Sequence, residues 1–174
     1  MNRNIIFIFL GVFFLFNITS LHAQEFIEYS NKELGFSIQY PEDWFIDEEQ
    51  GAGGGIAISS TSLVEGQISE GAAFGIFISN WQEMGVSGLD EFVENVGQYN
   101  EIGEVEIKII NNAEYACFPS DNKENDIWGE IYIHENGDIV FLVVLAYHHR
   151  ESIEKYGDIM GTMLNSLVIY EVEA

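Results

Sequence analysis

Positive charge is almost missing from this sequence: six Lys and Arg stand against 29 Asp and Glu in 174 residues, a formal net charge of −23. Arg3 sits at the extreme N-terminus, which leaves Lys32, Lys108, Lys123, Arg150 and Lys155 to face every acid in the chain. Such a chain is repelled by nucleic acid and by anionic membrane surfaces. The excess acid reads as solubility in an extracellular or salty setting rather than as a dedicated cation-binding surface. Cysteine is as scarce. Cys117 is the single one, so no internal disulfide forms, and its place in Tyr115-Ala116-Cys117-Phe118 predicts burial as a small hydrophobe rather than a catalytic thiolate.

Long apolar runs are lacking everywhere except near the start. Met1-Asn2-Arg3 is followed by an uncharged apolar run from Ile5 to Phe16 and a polar stretch ending Ser20-Leu21-His22-Ala23. This is the layout of a secretory signal, and the run falls short of the roughly 20 residues that a membrane-crossing helix needs. Residues 1–23 are therefore expected to be a cleavable export signal, with the protein working in a periplasm or outside the cell and no span remaining after cleavage. No cysteine follows the cut, which argues against a lipid anchor. No linker or repeat divides 24–174, so a single domain with its own core is expected.

What is present is strand. Short apolar or alternating runs cover 26–29, 35–40, 44–47, 55–59, 72–79, 104–110 and 114–118, with turn residues between most of them. The clearest pair is 127–134 with 139–147, joined by Glu135-Asn136-Gly137-Asp138, where Asn-Gly predicts a type I′ hairpin turn. The second strand of that pair is apolar on both faces and should lie centrally, packed on each side. Two helices are expected. Leu89, Phe92, Val93 and Val96 form an apolar stripe behind a Ser87/Asp90 capping pair, and Ile153, Tyr156, Met160, Met163 and Leu164 form another over 152–165, despite Gly157 and Gly161. Two helices among many strands, without regular alternation, predict an α+β domain on an antiparallel sheet.

The block Tyr29-Ser30-Asn31-Lys32-Glu33-Leu34-Gly35-Phe36-Ser37-Ile38-Gln39-Tyr40-Pro41-Glu42-Asp43-Trp44 resembles the opening of PsbP-like domains, a family named for an extrinsic subunit of the photosynthetic oxygen-evolving complex. A long hairpin, a helix and the closing Ser166-Leu167-Val168-Ile169 extend the likeness over 24–174. The resemblance implies an antiparallel sheet flanked by helices as an α/β/α sandwich, in an accessory or binding protein without catalysis. It carries over no photosystem role, because docking through basic residues does not suit so acidic a domain, and it carries over no metal ligands. Physically the block is a hairpin: Asn31 to Gly35 reverse the chain, Phe36, Ile38 and Tyr40 alternate toward one face, Pro41 stops the strand, and Trp44 folds back beneath as a core aromatic.

Catalytic signatures are missing in turn. No Gly-x-Ser-x-Gly elbow occurs. Gly51-Ala52-Gly53-Gly54-Gly55 lacks a Gly-Lys-Ser/Thr ending and leads into a strand, so it reads as a mobile loop and not a phosphate cradle. The Asp121 to Asp126 run fails the spacing of a calcium loop and reads as an exposed polar loop. His148-His149-Arg150-Glu151 with Glu154 is the one cluster of imidazoles and carboxylates, and it makes a metal-binding protein or metal-dependent hydrolase the alternative reading. The favoured reading is a non-catalytic exported binding module that needs no cofactor. Its expected partner is a protein or small molecule of the cell envelope, held by Gly53 and Gly54 of the glycine-rich loop and by Leu63, Val64 and Ile68, apolar residues in an otherwise polar stretch.

Overall fold

A computed structural model describes residues 24–48, 54–63 and 68–170. The expected export signal, Gly53 and Val64 lie outside the described residues. In chain order the elements are β1 (Phe26–Asn31), β2 (Phe36–Pro41), β3 (Phe45–Asp47), β4 (Gly55–Ser59), β5 (Gly71–Ser79), α1 (Leu89–Gly97) and β6 (Glu101–Ile102). They continue with β7 (Glu106–Ile110), β8 (Ala113–Asp121), β9 (Ile127–Asn136), β10 (Ile139–His148), α2 (Glu151–Ser166) and β11 (Val168–Ile169). Among the described residues no helix is long and apolar enough to cross a membrane.

The large sheet runs β3-β4-β5-β10-β9-β8-β6, with β7 also paired to β8, and all its pairings are antiparallel. A smaller sheet, β1-β2-β11, is built on the opening hairpin. There the side chain of Asn31 accepts the Glu33 and Leu34 N–H groups, Gly35 takes the positive φ that closes the turn, and Phe36, Ile38 and Tyr40 are buried. Trp44 is buried edge-on to Tyr156 of α2, with ring centroids 5.8 Å apart, as expected of a core aromatic.

The two faces of β10 carry two cores, because successive strand side chains point opposite ways. Phe141, Val143, Leu145 and Tyr147 join Phe74, Ile76, Met160 and Met163 in the larger core beneath α2 and the hairpin. Val140 joins Phe118, Ile131 and Ile133 in a smaller one, where Leu142, Val144 and the α1 residues Leu89, Phe92, Val93 and Val96 pack while staying partly exposed. The molecule is thus mostly antiparallel sheet with two helices, as expected of an α+β domain. Cys117 is buried, and burial raises its thiol pKa, in keeping with a packing role.

Two local details differ from expectation. Asn136 pairs with Ile139, so the loop residues are Gly137 and Asp138, and Gly137 supplies the positive φ. That Gly-x order is the one a type II′ turn uses, and the strand simply extends two residues further than the polar composition implies. At α1 the cap residue is Gly88, without a side-chain cap, and Ser87 donates its N–H and hydroxyl to the carboxylate of Glu91 rather than to Asp90. The helix starts one residue later than assumed, so Glu91 takes the position that reaches back.

Candidate binding groove

α2 packs chiefly against β2, β5 and β10. On that side of the sheet the pleat of β9 sends Trp128, Glu130 and Tyr132 to one face, beside Tyr147 and Leu145 of β10. The opposing wall comes from one stripe of α2, Ile153, Gly157, Gly161 and Leu164, spaced by whole turns. Between them lies a groove of about 380 Å³, within the roughly 300–1,000 Å³ of ordinary ligand sites. A Cβ added at Gly157 or Gly161 would meet nothing within 4 Å. Helix packing therefore does not require either glycine, although each costs about 1 kcal/mol of helix propensity relative to alanine. What their missing side chains do is keep the groove wide.

Glu130 stands between Trp128 and Tyr132 along β9 and also lines an adjoining hollow of about 200 Å³ with Glu104, Glu106, Lys108 and Cys117. The Tyr132 hydroxyl donates a short hydrogen bond to its carboxylate. Burial, then this bond, raises the Tyr132 pKa well above its ordinary value, while burial and the Glu130 charge push Tyr147 up to about 12. Both phenols thus stay neutral at any physiological pH, and Glu130 keeps lone pairs open to a donor from a bound molecule. At one end the Asp126 carboxylate accepts from Trp128 Nε1 at 2.9 Å and from His149 Nδ1 at 2.5 Å, and the Arg150 guanidinium lies 5.2 Å from the Trp128 ring centroid. These bonds hold the Asp126 pKa below the usual carboxylate value, the His149 bond contributing most. The arrangement can hold a molecule with an apolar or planar body and a hydrogen-donating or cationic group.

The sequence-expected residues fall elsewhere. His149 takes a positive φ, so the chain turns there and the His148 and His149 rings meet with centroids 4.0 Å apart. His148 Nδ1 is buried without a hydrogen-bond partner. Glu151 and Glu154 stand exposed in the first turn of α2, and among the described residues no group of three or more His, Cys, Asp or Glu side chains is placed to hold a metal ion. Gly54 takes a positive φ before β4, its carbonyl accepting from the Ile78 N–H.

Leu63 and Ile68 come together on the other face of the sheet, where they line a cleft of about 160 Å³ with Ala57, Ala73, Gly75, Phe77, Val144 and Ala146. Small residues make its floor, and the Phe77 ring lies so close over Gly75 that a Cβ there would be 2.7 Å from it. Sequence reasoning missed the larger groove. Its signals were the aromatic–acid–aromatic alternation of Trp128, Glu130 and Tyr132 and the two glycines four residues apart in α2.

No protein-family model matches the chain, and no curated protein matches it. Among solved structures it is similar to cyanobacterial PsbP (CyanoP) from Synechocystis sp. PCC 6803, with 15% identity and a TM-score of 0.56 over 90% of this chain and 99% of that one. Two others are a protein from Bacteroides thetaiotaomicron (12% identity, TM-score 0.42, 82% of this chain and 47% of that one) and the Ran-binding protein Mog1p from Saccharomyces cerevisiae (6%, 0.49, 86% and 97%). At 15% identity the alignment with CyanoP, which spans nearly the whole of both chains, speaks for the fold alone. The chain has a PsbP-like fold.

Proposed function

We propose that this chain is an exported, non-catalytic accessory protein whose sheet, layered between two helices, binds a protein or small molecule of the cell envelope in the groove between α2 and β9. The observation that carries the reading is the groove itself: Trp128, Glu130, Tyr132 and Tyr147 opposite a helix that omits two side chains. Its size decides between the two hollows, since the Leu63/Ile68 cleft holds less than half the volume. Neutral phenols and a tethered Trp128 supply recognition surfaces rather than a reaction. The His149–Asp126 pair has the base and orienter of a nucleophilic site, but among the described residues no serine, threonine or cysteine bonds the imidazole.

The test is capture from the producing organism's envelope fraction with tagged protein, read by native mass spectrometry for small molecules and proteins alike. Gly157→Leu and Gly161→Leu fill the groove from an open position and leave the core untouched, so the bound species should be lost with the melting temperature kept or raised. A species that survives both variants sinks the groove. The cleft is a second site worth the same assay, because Leu63 and Ile68 both turn onto one apolar floor; Leu63→Ser with Ile68→Ser would then lose the species that the glycine variants retain.

A further inference from the structure

β7 is an edge strand: it pairs with β8 and with no other strand among the described residues. Its pleat sends Ile107 and Ile109 to one face and Glu106 and Lys108 to the other. The two isoleucines are 60% and 65% exposed, and Val105, just before the strand, is 39% exposed. A bare row of backbone donors and acceptors flanked by β-branched side chains is a template for another strand, and proteins that avoid such pairing blunt the edge with proline, a bulge or inward charge. β7 has neither proline nor a bulge, and its one charge that leans inward, Lys108, lies 5.3 Å from the Tyr132 ring centroid on the face shared with Glu106, where a partner strand's carboxylate could reach it.

Charge picks the partner. An antiparallel copy of β7 set with Ile107 opposite Ile107 places Glu106 of each strand opposite Lys108 of the other, and Val105 opposite Ile109. One face then carries three apolar pairs and the other two opposite-charge pairs, all related by a two-fold axis. Moving the register by one pair in either direction sets Lys108 opposite Lys108 or Glu106 opposite Glu106, and like charges directly opposite are destabilising. Both shifts preserve which side chains share a face, so charge alone separates them. Residues 105–109 are self-complementary in one register, which is what an isologous interface demands.

We infer that this chain associates with a second copy of itself through β7, extending the large sheet across a two-fold axis. The contact is small beside the roughly 1,200–2,000 Å² of a standard interface, so the dimer is weak, and the high negative charge of both copies calls for enough salt to screen them.

Sedimentation equilibrium of the mature protein in about 0.15 M salt, between about 5 and 500 µM, tests it. The weight-average mass is expected to climb toward twice the monomer. Glu106→Lys alone and Lys108→Glu alone each set like charges across both symmetry-related pairs and should weaken association at least about ten-fold; Glu106→Lys with Lys108→Glu restores opposite charges in the same register and should recover it. Ile107→Cys should form a covalent dimer on oxidation while Ile109→Cys, facing Val105, does not. All these positions lie at the sheet edge, and circular dichroism of each variant confirms the fold. A monomer at every concentration overturns the inference, and so does a dimer indifferent to the single charge changes or not recovered by the double one.

Discussion

The two faces of the large sheet are built from the same strands and differ in how completely they are covered. Beneath α2, Phe36, Phe74, Phe141, Ile76, Met160 and Met163 are closed off from solvent, and the helix itself buries Met160, Met163 and Leu164. Beneath α1 no helix residue is fully buried, and Leu142 and Val144 remain partly open. Burial fixes side chains in place, and its energy scales with the apolar area removed from water. The α2 face therefore contributes more to holding the fold together than the α1 face does. The groove lies on the more completely covered face, at the margin that α2 leaves bare.

The comparison breaks first in the larger core. Phe141→Ala should lower unfolding free energy by about 3–5 kcal/mol in urea titration; a loss near 1 kcal/mol would mean that the face beneath α2 is not the one that holds the fold. The next effect comes from alkali. Burial raises the Tyr115 phenol to about 12 from an ordinary 10.0, so the folded state binds the extra proton between those values. Stability is then full below pH 10 and falls as pH rises through 12, by up to about 2–3 kcal/mol from this residue. Thermal melts from pH 8 to 11.5 should stay flat and then drop, and Tyr115→Phe should make the drop shallower.

On the α1 face, Phe92→Ala should cost about 1–2 kcal/mol, in proportion to its partial burial. A loss equal to that of Phe141→Ala would show that the two faces are not different in kind. The smallest effect has the opposite sign. Gly157→Ala and Gly161→Ala each replace a helical glycine in open space and should raise stability by about 0.5–1 kcal/mol while narrowing the groove, so a variant that melts higher and binds less marks residues kept for binding.

Much of this architecture was legible in the residues. The bounds of β4 follow from its composition, and the apolar run of β10 announces a central strand because both of its faces had to be covered. Phe36, Ile38, Tyr40 and Trp44 are buried as their pattern requires. The turn at Gly137 was misread because polar residues continue the ladder beyond the apolar ones, and pairing, not composition, sets where a strand ends. For the candidate sites, Leu63 and Ile68 were visible as apolar intrusions, and their common cleft shows only once both side chains are placed against the sheet. The groove was hidden for a stronger reason. Trp128 and Glu130 come from β9 and Gly157 and Gly161 from a helix some thirty residues later, so only the point at which α2 stops crossing the sheet brings them together.

The short strand β11 has a consequence for how the chain acquires its shape. It lays Val168 and Ile169 against Ser37 and Phe36 of β2, the Tyr170 N–H donates to the Gly35 carbonyl, and the Asn111 amide donates to the carbonyls of Asn165 and Leu167. The opening hairpin is thus completed by residues made more than a hundred positions later, and pairings of such long sequence separation form slowly. The larger core includes Met163, Leu164 and Leu167, so a growing chain cannot complete it before these residues are available. Until then Phe36, Ile38 and Trp44 lie open to water, and to any chaperone that recognises exposed apolar chain.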